Sequence, residues 1–379
     1  MPCPYKHNGC NGPENTGSVC SACSLDHFLQ TIYDKRSEIF SAYDHTGKDQ
    51  QKFIYGLYEG TQEEPPQLTD EEKDRQLKTV LKKLCELSQW ASDYFFDRVL
   101  IQATDDPREK LKIGPFMKYL HGVYLSKNPR TFPPNLRDDL MEDFYHLWAR
   151  DEDDEDQKVT QRIYINTLEW NTEAALKVFE KIFTSVLFEQ ENAGKPNMNV
   201  DEAKVAGPDM LGRNDTIIIY LYEESAVTDV VKIIDGFEPA LQNMIGLKIP
   251  PMTHRLITNK GVAQGAEPPE IGFADRNTPA VNHEDEEEFL VMDANSFGKY
   301  RAYLIAQIFQ DHARIQQLFA EKRDWKERST LFDSLDNFSK AVKQRFWEYG
   351  INPNTPHLNK KILPNPQSGP YPTVKASER

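Results

Sequence analysis

The side chains most capable of chemistry fall between positions 160 and 305. Arg162-Ile-Tyr-Ile-Asn166 alternates with the period of a strand, so Arg162, Tyr164 and Asn166 share the face opposite Ile163 and Ile165. One face is expected in a core, and the other meets solvent or forms a site. Lys204 follows in what reads as a loop, and Arg213 and Asp215 immediately precede Thr216-Ile-Ile-Ile-Tyr220, the most β-prone run in the chain. A strand that apolar is expected at the centre of a sheet, which places residues at its mouth beside a cleft. His254 stands in a Gly- and Pro-rich region, and Arg301 opens a helix after Ser296-Phe-Gly298. Each has a plainer reading. Arg213 and Asp215 also fit a surface ion pair worth less than about 1 kcal/mol. Ser296 also fits an N-cap that leaves Arg301 exposed, and Asp201, Glu202 and Asp209 would hold a nearby Lys204 in its charged form.

Cys3, Cys10, Cys20 and Cys23 crowd the first 23 residues, with His7 among them. Cys20-Ser-Ala-Cys23 has zinc-knuckle spacing, and four thiolates could order a segment too small for its own core around one structural zinc. A redox or disulfide cluster and a functionless tail are the alternatives. Cys85, among Leu81, Leu84 and Leu87, reads as a small buried hydrophobe. The chain carries no P-loop, nucleophile elbow, zincin motif or dinucleotide-binding glycine fingerprint.

The elements that must position these residues follow from periodicity. Residues 25–150 read as a helical N-terminal domain: Leu77, Val80, Leu81, Leu84 and Leu87 recur at three and four, and a further helix is expected over 135–148 after Pro133-Pro134. The wholly acidic stretch 151–156 cannot be buried and reads as a linker. Beyond it the pattern becomes strand (162–166), helix (172–189), strand (216–222) and helix (227–245, interrupted near Asp235-Gly236), a compact α/β domain with a small mixed sheet over about 157–325. Residues 250–295 read as loop, with a helix from Ser296 and another over 330–347, within a C-terminal helical segment at 326–350. Six prolines after residue 351 suggest a flexible tail over 351–379. The fold class is α+β.

Charge narrows the partners. Sixty acidic against 45 basic residues give a net charge of −15, and eleven of the negative charges lie in two runs, 151–156 and 284–288. The remainder is mildly acidic, which argues against a nucleic-acid partner, since such proteins neutralise phosphates with clustered Lys and Arg. No run approaches the roughly 20 apolar residues of a membrane span, so no membrane partner is expected. The N-terminus lacks the apolar core of a signal peptide, and a cytoplasmic location is the expectation.

Taken in order, Arg162-Ile-Tyr-Ile-Asn166, Lys204-Val205, Gly212-Arg213-Asn-Asp215-Thr-Ile-Ile-Ile-Tyr220, Gly261-Val-Ala-Gln-Gly-Ala-Glu267-Pro268 and Ser296-Phe297-Gly298-Lys-Tyr-Arg301 resemble the HopA-type effector family over about residues 157–309. That family includes plant-pathogen type III effectors and lyase-like components of class V lanthipeptide pathways. The resemblance implies a lyase that removes phosphate from phosphoserine or phosphothreonine by β-elimination, in peptide modification or effector action. Such chemistry needs a base for the α-proton, donors for an enolate-like carbonyl and cations on the leaving group. On this reading Lys204 is the base, Tyr164 or His254 a proton donor, Arg162, Arg213 and Arg301 the phosphate ligands, and Asp215 and Asn166 orienting residues. The partner is a phosphorylated peptide or protein, with a kinase to make the phosphate, and catalysis needs no cofactor. The alternative is a non-catalytic interaction module or a zinc-dependent regulator.

Overall fold

Ile217–Leu221 is buried at every position, and that explains its composition: a strand covered on both faces needs β-branched and aromatic side chains throughout. It lies at the centre of a seven-stranded sheet in the computed structural model, which describes residues 20–42, 48–60, 66–95, 100–102, 131–148, 158–189, 195–196, 199–268, 296–321 and 330–359. The helices are α1 (Ser21–Asp34), α2 (Arg36–Ser41), α3 (Lys48–Glu59), α4 (Asp70–Phe95), α5 (Pro134–Met141), α6 (Thr172–Ile182), α7 (Glu224–Asp235), α8 (Pro239–Gln242), α9 (Phe297–Glu321) and α10 (Leu335–Glu348). The strands are β1 (Leu100–Gln102), β2 (Phe144–Trp148), β3 (Gln161–Ile165), β4 (Phe188–Glu189), β5 (Lys195–Pro196), β6 (Val200–Ala206), β7 (Ile217–Leu221), β8 (His254–Arg255) and β9 (Val262–Ala266). The large sheet runs β1-β2-β6-β7-β3-β9-β8, and β4 and β5 form a separate pair.

The α+β class holds, but every described strand pair is antiparallel, so the sheet is not mixed. The helix expected over 135–148 stops at Met141, and its second half is β2, which pairs with β6. The apolar side chains Phe144, Tyr145 and Leu147 fit a strand buried on both faces as well as a helix, so periodicity alone could not separate the two. Because β2 joins the sheet, the N-terminal helices and the sheet share one hydrophobic core running from Leu25 to Ile351. Lys204, expected in a loop, lies within β6. The region read as loop after residue 250 contains β8 and β9; Val262-Ala-Gln-Gly-Ala266 is hard to see as a strand because its side chains are small. They are small for a reason: a Cβ on Gly265 would stand 2.7 Å from the ring of Phe297 and 3.1 Å from Tyr164.

The helix expected over 172–189 is α-helical only to Ile182; a π-helical turn, Phe183–Leu187, leads from it into β4. α6 is capped by Asn171, whose Oδ1 accepts from Ala174 N at 2.9 Å, a contact worth about 1 kcal/mol, and α9 is capped by Ser296, whose Oγ accepts from Lys299 N at 3.2 Å. The interruption near Asp235-Gly236 separates α7 from α8. Strand β6 carries a bulge: Val200 pairs with Leu221 but Ala203 with Ile219, one extra residue against β7. Residues 352–359, expected to begin a free tail, are tied to the body, with Ala266 N donating to His357 O at 2.7 Å and Asn359 Nδ2 to Glu267 O at 2.7 Å. The acidic runs 151–156 and 284–288 and residues 360–379 lie outside the described residues.

Candidate functional site

Register decides which side chains meet. Lys204 on β6 is directly opposite Ile218 on β7, and Ile218 is opposite Tyr164 on β3, so these three form one row on one face of the sheet. Arg162 lies two residues along β3 on that same face, opposite Tyr220. The alternate residues Ile163, Ile165, Ile217, Ile219, Ala203 and Val205 fill the other face, against α6 and α7. The polar face is not solvated. Helices α3 and α9 cover it, with Tyr58 and Phe297 ring centroids 6.2 Å apart and Phe297 5.9 Å from Tyr164.

Beneath this cover is a cleft of about 240 Å³ whose lining includes Arg162, Tyr164, Lys204, Arg213 and Asp215 from the sheet side. Cations and rings alternate across it. The Arg162 guanidinium stands 4.5 Å from the Tyr220 ring centre; Lys204 Nζ is 5.6 Å from that ring and 4.5 Å from Phe144; the Arg213 guanidinium is 5.2 Å from Phe144. Each ring thus serves two cations, and Lys204 occupies the middle of the series. The three acids that flank Lys204 in sequence are engaged elsewhere: Asp201 accepts from the Tyr222 hydroxyl, Glu202 contacts His146 Nδ1 at 3.1 Å, and Asp209 pairs with Lys73 at 3.5 Å.

The two arginines at the ends are held by carboxylates. Arg162 makes a two-pronged contact with Glu267, and Arg213 does so with Asp215 (Nε to Oδ1 2.8 Å, Nη2 to Oδ2 3.2 Å) while its third nitrogen donates to Glu59. Burial opposes both charges, yet Glu267 in one case and Asp215 and Glu59 in the other outweigh it, and both guanidiniums stay well above their ordinary range. Asp215 is thus bonded to Arg213 in a buried pair, not a surface one. Asn166 is bonded to it too: its Nδ2 donates to the Arg213 carbonyl at 2.8 Å, and its Oδ1 accepts from Lys248 N at 3.3 Å.

Two expected residues are elsewhere. Arg301 is fully buried and does not line the cleft. Its Nε and Nη2 donate to Pro356 O at 3.1 and 2.7 Å, its Nη1 to Phe297 O at 3.2 Å, and it lies 3.5 Å from the centre of the Phe297 ring. Nor is it exposed, as the N-cap reading would have it. His254 is opposite Gln264, and Gln264 is opposite Ile163, which puts His254 on the face away from the cleft. There its ring stacks on His357 at 4.9 Å.

Sequence reading missed the contribution of α3. Tyr55, Tyr58 and Glu59 all line the cleft, and their spacing of three and four is the signal that could have revealed them as one helix face. Asn214 docks the end of that helix, donating from its backbone N to Glu59 O at 2.9 Å and from Nδ2 to Tyr58 O at 3.3 Å. Burial pushes the phenols of Tyr55, Tyr58 and Tyr164 well up, so all three stay protonated donors. Glu142, Asp143, Ser296 and Lys299 complete the polar lining.

Cys3 and Cys10 lie outside the described residues. Cys20 caps α1, its Sγ accepting from Cys23 N at 3.4 Å, and Cys23 is buried in the first turn, so both have a structural role of their own. Among the described residues no group of three or more His, Cys, Asp or Glu is arranged to hold a metal ion. No described helix is long and apolar enough to cross a membrane.

No protein-family model matches the chain, and no curated protein matches it. Among solved structures, an effector protein from Pseudomonas syringae pv. syringae strain 61 is similar at 13% identity over 90% of this chain and 98% of its own, with a TM-score of 0.48. An effector protein from Pseudomonas syringae pv. tomato strain DC3000 is similar at 14% identity over 88% of this chain and 99% of its own, with a TM-score of 0.45.

Proposed function

We propose that the protein is a lyase that removes phosphate from phosphoserine or phosphothreonine in a peptide or protein, as a HopA-type domain would in effector action or peptide modification. The observation that carries this reading is the series Arg162, Tyr220, Lys204, Phe144, Arg213, which sets one amine between two guanidiniums in a covered cleft. In β-elimination Lys204 takes the α-proton, the carbon–oxygen bond to phosphate breaks, and its electron pair departs with the phosphate. The guanidiniums receive that charge. Each keeps donors beyond those turned to its carboxylates, since a guanidinium has five N–H groups in a fixed fork. A lysine base must first be neutral. A base that acts as the neutral amine makes the rate rise with pH.

The test is incubation with phosphothreonine and phosphoserine peptides, followed by mass spectrometry. Elimination leaves dehydrobutyrine or dehydroalanine, which an added thiol captures at the former phosphosite; hydrolysis instead restores the hydroxyl. Dehydrated product supports the lyase, and its absence with every peptide, even beside a kinase, removes it. One observation favours a second reading, a phosphopeptide-binding module without turnover: Glu267, Asp215 and Glu59 already hold the two arginines, as a rigid recognition surface would require. Tight binding of the same peptides with no dehydrated product would select it.

A further inference from the structure

Tyr58 is 1% exposed, lines the cleft, and its hydroxyl has no hydrogen-bond partner among the described residues. A buried hydroxyl left unpaired is costly, and such groups call for an explanation. The surroundings hold this one in place. Its ring packs against Tyr55 at 5.8 Å and Phe297 at 6.2 Å, Asn214 fixes the end of its helix, and Gly298 has no Cβ because one there would lie 2.2 Å from Tyr58 Cε1. Packing this close around an unsatisfied donor, at the edge of a cavity, is what a site for a ligand oxygen requires.

We infer that the Tyr58 hydroxyl donates to the carbonyl oxygen of the residue undergoing elimination, a role that rests on the lyase reading and brings helix α3 into the active site. The choice of oxygen follows from charge. A phosphate already bears its negative charge in the bound substrate and is matched by the guanidiniums of Arg162 and Arg213. The carbonyl oxygen is neutral until Lys204 removes the α-proton and becomes an enolate only then, so a neutral phenol stabilises the charge as it forms. The step balances without an oxidant or reductant. The α-proton passes to the Lys204 amine, and the C–H electron pair moves onto the carbonyl oxygen under the Tyr58 O–H. As the carbonyl re-forms, the α,β double bond appears and phosphate leaves with the electrons of its bond to the β-carbon. Burial keeps the Tyr58 phenol protonated through this cycle.

The decisive comparison is full-length wild type against Tyr58→Phe on one phosphothreonine peptide, with kcat, KM and the melting temperature measured for each. Loss of the hydroxyl should lower kcat by about 10²-fold, the scale of one oxyanion donor. KM should stay within about threefold. The melting temperature should hold or rise, because the substitution deletes an unsatisfied buried group. A purely structural tyrosine would not combine slower chemistry with unchanged or higher stability. Gly298→Ala, which displaces the ring while keeping the hydroxyl, should also lower kcat. An active wild type with an equally active Tyr58→Phe would overturn the inference and leave the lyase standing. A raised KM with unchanged kcat would move the contact to the bound substrate and refute the carbonyl assignment. A wild type that forms no dehydrated peptide would remove both.

Discussion

Arg213 and Arg301 are both buried arginines, and their surroundings make them opposites. Arg213 meets two carboxylates and an aromatic face at the cleft, and its charge is strongly favoured. Arg301 hydrogen-bonds to carbonyl oxygens and lies over the Phe297 ring, with no carboxylate in direct contact among the described residues, and burial pushes it down to about 10. One guanidinium belongs to a charged cleft; the other fastens α9 to the segment around Pro356. A buried arginine therefore states that something fixed must surround it, and its partners decide whether that is a site or a joint.

Substitutions should separate the cleft from the joint. The largest effect is expected from Lys204→Ala, which should lower turnover of a phosphothreonine peptide by about 10³-fold, within the range of a general base, while peptide binding and melting temperature persist. Arg301→Ala should do the reverse. It removes both guanidinium donors from the buried Pro356 carbonyl and leaves a cavity inside the fold, and should cost about 3 kcal/mol by denaturant unfolding, with peptide affinity of the folded fraction unchanged. An Arg301→Ala protein that is stable but inactive would erase the distinction.

A finer contrast comes from Arg213→Lys, which should recover only part of what Arg213→Ala loses in peptide affinity, because a point charge cannot serve Asp215, Glu59 and a phosphate together. Equal affinity for Arg213→Lys and wild type, by calorimetric titration, would reduce the fork to simple charge. Alkaline unfolding probes the cover over the cleft. Unfolded tyrosines ionise near pH 10, whereas burial holds Tyr58 and Tyr164 protonated above that, so their stabilising effect is complete below pH 10 and is lost as pH rises through their folded values. Each should account for about 1 kcal/mol by pH 11, and Tyr164→Phe should flatten the fall in stability measured between pH 9 and 11. The smallest effect belongs to Glu59→Gln. Burial raises the Glu59 carboxyl against the pull of Arg213, so stability relative to this variant should be greatest in acid and fall as pH rises past the ordinary carboxylate range. At pH 7 the difference should stay under about 1 kcal/mol, while the variant's affinity for phosphopeptide rises.

The sheet side of the site was legible because a strand writes its faces into alternation: Arg162, Tyr164 and Asn166 against Ile163 and Ile165 needed no tertiary information. The order of the blocks then brought Lys204, Arg213 and Asp215 to the same cleft. What alternation could not supply was the third dimension. Nothing local distinguishes Arg301, which turns toward residue 356, from an arginine at a cleft. His254 is excluded only by its register with Gln264, and the strand carrying Gln264 has side chains too small to announce it. The α3 residues were invisible for another reason: they lie far in sequence from the residues they face, and only tertiary contacts such as Arg213 with Glu59 and Asn214 with Tyr58 bring them together.

The bulge in β6 has a consequence for how this chain can tolerate change. Two-residue periodicity makes a strand unforgiving of length, since a single inserted residue would turn every later side chain to the wrong side. Here one extra residue is already absorbed between Val200 and Ala203, so Val200, Ala203 and Val205 all point into the core although the parity of their numbers differs. The odd residue is taken up before the ladder reaches Lys204. The strand thus carries its own phase correction: an insertion or deletion upstream of Ala203 can be accommodated as a change of local twist, while the orientation of the lysine is set by the regular pairing that follows.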